Sequence, residues 1–204
     1  MSFVTAWGCG TANYPVVDGT PYAMKVARAV WTLAKSKRIA RDEEFTTYFE
    51  DFEDYNGGYT STGDWQYGTP ITWPEDAASG TYCWGTNLSG NYSSNSYSIL
   101  RSPEIDMSSV ESGSTVQIKW MQALHIEPAI WDDAIAYFSV DGGTSWTTIW
   151  AHSGSTVQID WTEYTYDIPS FTGDKIELMW LLTDDGVIQY SGLYVDDVNV
   201  TVLE

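Results

Sequence analysis

Basic residues are scarce in this chain: nine Lys and Arg stand against 28 Asp and Glu, for a net charge of −19. Nucleic acid is excluded as a partner, because holding phosphate needs a basic surface. An acidic surface suits cations, basic partners or a high-salt medium. Cysteine is nearly absent as well. Cys9 and Cys83 are too few for a disulfide scaffold or a thiolate zinc site. In an oxidising compartment the two can still pair, closing a loop for about 4 kcal/mol; the alternative is two unrelated buried thiols. The two histidines, His125 and His152, stand in no H-E-x-x-H or comparable spacing. No apolar run approaches the roughly 18–20 residues of a membrane span. Met1-Ser2-Phe3 opens no secretory pattern, so an extracellular chain of this sequence has lost its signal or is a piece of a longer protein.

What is present argues for a folded core: 43% hydrophobic and 15% aromatic residues in 204, room for one large domain or one ordinary domain with an appendage. Charge divides the chain near residue 42. Residues 1–42 hold six of the nine bases (Lys25, Arg28, Lys35, Lys37, Arg38 and Arg41) and two acids, Asp18 and Asp42. Residues 43–204 carry the other 26 acids and three bases, a net of −23. The expected organisation is therefore an arm at 1–42 and a body at 43–204. In the arm, Thr20-Pro21 reads as N-cap and first helical position. Ala23, Val26, Ala27, Val30, Trp31 and Leu33 then recur at helical spacing, with bases in the last turns where the helix dipole favours them. Phe3, Val4, Ala6 and Trp7 read as a short apolar strand. Phe3, Trp7 and Trp31 are the arm's anchors for packing or assembly.

From about residue 45 the apolar period changes from 3.6 to 2. Val116, Ile118 and Trp120 alternate with polar residues, as do Ile176, Leu178, Trp180 and Leu182, and again Val198, Val200 and Val202. Trp120, Trp180 and Trp146 read as core. Turn clusters such as Asn56-Gly57-Gly58, Asp141-Gly142-Gly143 and Thr183 to Gly186 separate the runs. Many short strands so punctuated predict an all-β sandwich or barrel.

A series of local motifs then appears in order: Phe49-Glu50-Asp51-Phe52-Glu53, Trp84-Gly85-Thr86-Asn87-Leu88, Leu100-Arg101-Ser102-Pro103-Glu104-Ile105-Asp106, Trp131-Asp132-Asp133-Ala134 running into Phe138-Ser139-Val140-Asp141-Gly142-Gly143-Thr144-Ser145-Trp146, and Leu193-Tyr194-Val195-Asp196-Asp197-Val198. Over nearly the whole body this series resembles the MAM-like jelly-roll modules of secreted prokaryotic proteins, including those appended to immune-inhibitor-A metallopeptidases. The resemblance implies a concanavalin-like, two-sheet jelly roll, an extracellular or cell-surface location, bound calcium, and an adhesive or accessory role. The arm matches nothing in that family.

Several acids stand where a lone carboxylate is costly. By two-residue alternation Asp196 shares a face with Tyr194, Val198, Val200 and Val202, and Asp132 one with Ala134, Ala136, Phe138 and Val140. Asp51 sits likewise with Phe49 and Glu53. Jelly rolls of this kind bring the first and last strands together, which gathers acids where Lys and Arg are almost missing. Calcium, which takes six to eight hard oxygens, answers that need. The candidate ligands are Asp51, Glu53, Glu127, Asp132, Asp196 and Asp197; the alternative is solvated strand ends or acids accepting backbone hydrogen bonds. Trp65, Tyr67, Trp73 and Trp84 lie in a loop-rich stretch and are candidates for a glycan-binding face, or else cover a sheet.

No catalytic residues are expected. Glycoside hydrolysis is the best enzymatic counter-reading, but its alternating acids are out of register at Glu50-Asp51-Phe52-Glu53. The expected function is a non-catalytic, calcium-stabilised extracellular adhesion or accessory module. Its partners are neighbouring domains, other copies of itself or glycans. The alternatives are a self-assembling surface filament or sheath subunit that uses the arm for strand addition, and a carbohydrate-binding module.

Overall fold

The computed structural model describes residues 45–203 and, in the arm, the pairs 16–17 and 20–21. The chain divides into two units, Met1–Asp42 and Glu43–Glu204. In the first, β1 (Val16–Val17) pairs antiparallel with β2 (Thr20–Pro21). Thr20 and Pro21 thus pair as a strand where a helix start is predicted. The intervening sequence is Asp-Gly, a two-residue hairpin signal, and this outweighs the N-cap pattern. The helix residues beyond, together with Phe3, Cys9, Trp7 and Trp31, lie outside the described residues.

The second unit is the expected jelly-roll β-sandwich of two antiparallel sheets, six strands each. The first sheet runs β11 (Thr147–Ala151), β10 (Asp133–Ser139), β13 (Lys175–Thr183), β7 (Tyr97–Arg101), β4 (Thr60–Ser61), with β8 (Ile105–Asp106) also on β13. The second runs β12 (Val157–Ile168), β9 (Thr115–Ile126), β14 (Gly192–Leu203), β6 (Cys83–Thr86), β5 (Trp65–Gly68), with β3 (Phe45–Glu50) also on β14. First and last strands of the body do lie side by side: Glu50 faces Val198 and Tyr48 faces Val200.

The alternating runs fill the space between the sheets. Val116, Ile118, Trp120, Ile176, Leu178, Trp180, Leu182, Val198 and Val200 are buried together, and Trp120 meets Trp180 edge to face at 6.3 Å. Each such side chain contributes about 1.5–3 kcal/mol on burial. Trp146 departs from the core reading: it is half-buried, with the Arg101 guanidinium 4.9 Å over its ring.

The alternation of β14 breaks once. Against β9, Asp196 faces Met121 and Asn199 faces Lys119, so two residues, Asp197 and Val198, oppose one. Asp197 has φ 46°. This is a β-bulge, which inserts a residue and flips the sequence parity of the core face. Leu193 and Val195 face the core before it, Val198 and Val200 after it. Asp196 therefore does not share the valines' face. It lies with Tyr194 on the outer face of the sheet, where Tyr194 packs with Cys83, Leu88 and Ala123 under Trp73, Ala77 and Trp161.

Candidate cation and ligand sites

Asp196 is fully buried. Its Oδ2 accepts the amides of Ala78 (2.9 Å) and Ser79 (3.2 Å), and its Oδ1 accepts the amide of Asp197 (2.8 Å). Burial pushes its pKa up to about 7 against those bonds, with the Asp197 charge adding to the rise. Asp197 accepts the Ser79 hydroxyl at 2.8 Å; burial first, then the charges of Asp51 and Glu53, hold its pKa above the ordinary range. Glu53 Oε1 accepts the amides of Thr81 and Tyr82, both at 2.8 Å. Gly80 between these partners has φ 56°, and a Cβ there would lie 2.2 Å from the Glu53 carboxyl carbon. Consecutive amides folded around an anion form a nest. Asp51 Oδ1 accepts the Glu53 amide at 3.2 Å, but Phe52, at φ 59°, turns the chain after β3 and ends the alternation that would align Asp51 with Glu53. The segment 78–82 thus bonds Asp196, Asp197 and Glu53, and backbone amides already occupy both oxygens of Asp196 and one each of Glu53 and Asp51.

Glu127 and Asp132 lie elsewhere, at one end of the sandwich. Glu127 follows β9, Asp132 precedes β10, and Asp185 comes from the connection between β13 and β14. One oxygen from each lies within 4.8 Å of the other two, the one converging set of three acids among the described residues. Asp132 is fully buried and does share its face with Ala134 and Ala136. Its Oδ2 accepts the Tyr92 hydroxyl at 2.5 Å and its Oδ1 the Asp185 amide at 3.1 Å. Burial, then neighbouring carboxylates, raises the pKa of Glu127; burial likewise raises that of Asp132. Beside the acids is a cleft of about 210 Å³ lined by Glu127, Trp131, Asp185, Val187 and Ile188. Asp185 was missed in the sequence. Its signal was the Asp-Asp-Gly of a turn, which reads as solvated until β10 and β13 pair and bring Asp133 opposite Thr183.

A second cleft, of about 390 Å³, lies on the outer face of the second sheet, with Phe49, Ser79, Lys119, Glu163, Asp197 and Asn199 in its lining. Phe49 is 55% exposed. The aromatic residues predicted to bind glycans do not form a common platform. Trp65 and Trp84 are core residues, because β5 and β6 turn them inward. Tyr67 is half-buried and gives its hydroxyl to the Phe52 carbonyl at 2.7 Å. Trp73, half-buried, packs edge-on to Tyr194 and His125 at 5.9 and 5.5 Å.

Cys83 is a fully buried thiol, and burial raises its pKa well above the ordinary thiol range; the Cys9 expected to pair with it lies outside the described residues. His152 donates from Nε2 to the Glu127 carbonyl at 2.9 Å. His125 is held between Trp73 and Tyr190, and burial lowers its pKa. No helix among the described residues is long and apolar enough to cross a membrane.

No family model matches the chain. Bacillopeptidase F of Bacillus subtilis is 33% identical over 155 residues, 74% of this chain; the chain spans only 10% of that relative's length. Among solved structures, a cleaved adhesin domain of Lys-gingipain from Porphyromonas gingivalis is similar at TM-score 0.49 and 16% identity, over 76% of this chain and 99% of that one. The CBM22-1 xylan-binding domain of Paenibacillus barcinonensis Xyn10C is similar at TM-score 0.45 and 14% identity, over 81% of this chain and 99% of that one.

Proposed function

We propose that this chain is a non-catalytic, calcium-stabilised extracellular binding module that serves as an accessory part of a larger protein. The cleft on the outer face of the second sheet carries the binding reading. There an exposed aromatic ring, Phe49, stands among the polar side chains of Ser79, Glu163, Asp197 and Asn199. Flat aromatic surface with a few polar groups to fix orientation suits a sugar ring, so the ligand class is a glycan. The accessory role is supported by a match that takes in most of this chain and a tenth of a peptidase. The MAM-like kinship rests on the ordered motifs alone. Calcium belongs to this reading through donor chemistry: oxygen-only, carboxylate-rich clusters are what that ion takes.

Affinity electrophoresis of the full chain through gels containing neutral or acidic polysaccharides tests the binding. Retardation is expected on at least one, and Phe49→Ala is expected to abolish it while leaving the melting temperature within about 2 °C, as suits an exposed side chain. Equal mobility of wild type and F49A on every polysaccharide overturns the glycan reading.

A further inference from the structure

We propose that Glu127, Asp132 and Asp185 form a site for one hard divalent cation of the calcium class, which ties the connection between β9 and β10 to the connection between β13 and β14. This rests on the calcium-stabilised reading above and says where the ion binds and what it joins.

Convergence is the first observation: three carboxylates from three places in the sequence bring oxygens within 4.8 Å of one another. Glu127 is the second. It is only 7% exposed, yet no described residue donates a hydrogen bond to its carboxylate. Its side chain is enclosed up to the cleft onto which the carboxylate opens, beside two further carboxylates, a gathering of negative charge that a proton or a cation relieves. Among the described residues, the Lys and Arg side chains lie elsewhere. Of the three bases in residues 43–204, Arg101 pairs with Glu177 at 3.3 Å and Lys175 with Glu104 at 2.9 Å, while Lys119 lines the outer-face cleft. His152, which follows β11, spends its Nε2 proton on the Glu127 carbonyl rather than the carboxylate.

Ligand type selects the metal. An all-oxygen set with no thiolate or imidazole disfavours zinc, and the open cleft leaves room for the waters that complete calcium's six to eight ligands. The arrangement is partly prepared. Tyr92 and the Asp185 amide already orient Asp132, the kind of outer support that fixes a ligating carboxylate. The two joined connections carry Ile130, Trp131, Val187 and Ile188, all largely exposed, so the ion holds in place the apolar residues around it.

Trp131 supplies a local probe. Titrating the full chain with terbium(III), which follows calcium coordination chemistry, is expected to give sensitised emission displaced by calcium. Trp131→Phe is expected to lose most of that emission with calcium affinity, by calorimetry, changed less than twofold. Glu127→Gln and Asp185→Asn are each expected to weaken calcium at least tenfold; Asp185 is exposed, so its variant keeps the fold even where E127Q does not. If calcium binds and stabilises but neither substitution weakens it, this site is overturned while the calcium-stabilised reading stands. If calcium shows no heat and no effect on melting, both fall. If E127Q melts higher than wild type in chelator and calcium fails to raise wild type above it, the cluster holds a proton, and the cation site is overturned.

Discussion

The Asp196 carboxyl is strongly shifted, and its titration has a definite sign. The folded protein holds the Asp196 proton up to about pH 7, chiefly because of burial, whereas the unfolded chain releases it near the ordinary value of about 3.9. The folded state therefore binds more protons between those limits. The contribution to stability is full below the unfolded value and is lost as pH rises through about 7. Burial raises Glu127, Asp132 and Asp197 in the same direction. In chelator, the melting temperature is expected to rise as pH falls from 8 to 5. Asp196→Asn, which keeps an acceptor but no charge, is expected to remove roughly 2–4 kcal/mol of that dependence. A pH profile for D196N parallel to wild type refutes this assignment. Asp141 has the opposite sign: the Ser145 hydroxyl and amide hold it at about 2, so its contribution is lost only as pH falls below the ordinary carboxylate range.

Among elements, β14 and the segment it holds matter most. The bulge at Asp197 converts one register into another within a single strand, and it does so where the outer partner changes from β6 to β3. Deleting Asp197 is expected to return the strand to strict alternation and turn Val198, Val200 and Val202 outward, since a one-residue slip reverses every face. The lost burial, about 1.5–3 kcal/mol per valine, exceeds what a domain of ordinary stability can spare. Soluble, cooperatively melting protein from that deletion would count against the account. The segment 78–82 is a milder case. Gly80→Ala forces a side chain into a positive-φ position against Glu53, expected to cost about 1–3 kcal/mol. Limited proteolysis within 76–82 should quicken in G80A, and cleavage at the wild-type rate would show that the Glu53 nest does not hold the segment.

For the whole molecule, the division at residue 42 makes a prediction about autonomy. Every described residue of the sandwich core falls within residues 43–204, so this piece alone is expected to fold and melt cooperatively. The helix that the sequence predicts for the arm would be marginal in water on its own. Failure of the 43–204 piece to give a cooperative transition would make the arm a necessary part of the domain. Self-assembly through Phe3, Trp7 and Trp31 is a separate proposal, motivated by a basic arm and a body of net charge −23. Size-exclusion chromatography of the full chain against the 43–204 piece decides it: larger species confined to the full chain support assembly, and monomers in both exclude it.

The amino-acid sequence by itself determined the sandwich. Period-two burial along Val116 to Trp120 and Ile176 to Leu182 is a local property that survives whatever the partner strand, and the charge division at residue 42 is plain arithmetic. It also marked Asp132 as a carboxylate in line with Ala134, Ala136 and Phe138, all buried, although Val140 at the end of that row is exposed. Tertiary structure decided the rest. A bulge is invisible to strict alternation, so Asp196 was placed on the wrong face by one inserted residue. Whether Trp65 and Trp84 face solvent or core depends on how β5 and β6 turn against β14, which no window of sequence contains. Asp185 joins Glu127 and Asp132 only because β13 pairs with β10 and β14 with β9. Charges distant along the chain become one site through strand pairing, and pairing is a property of the folded sheet.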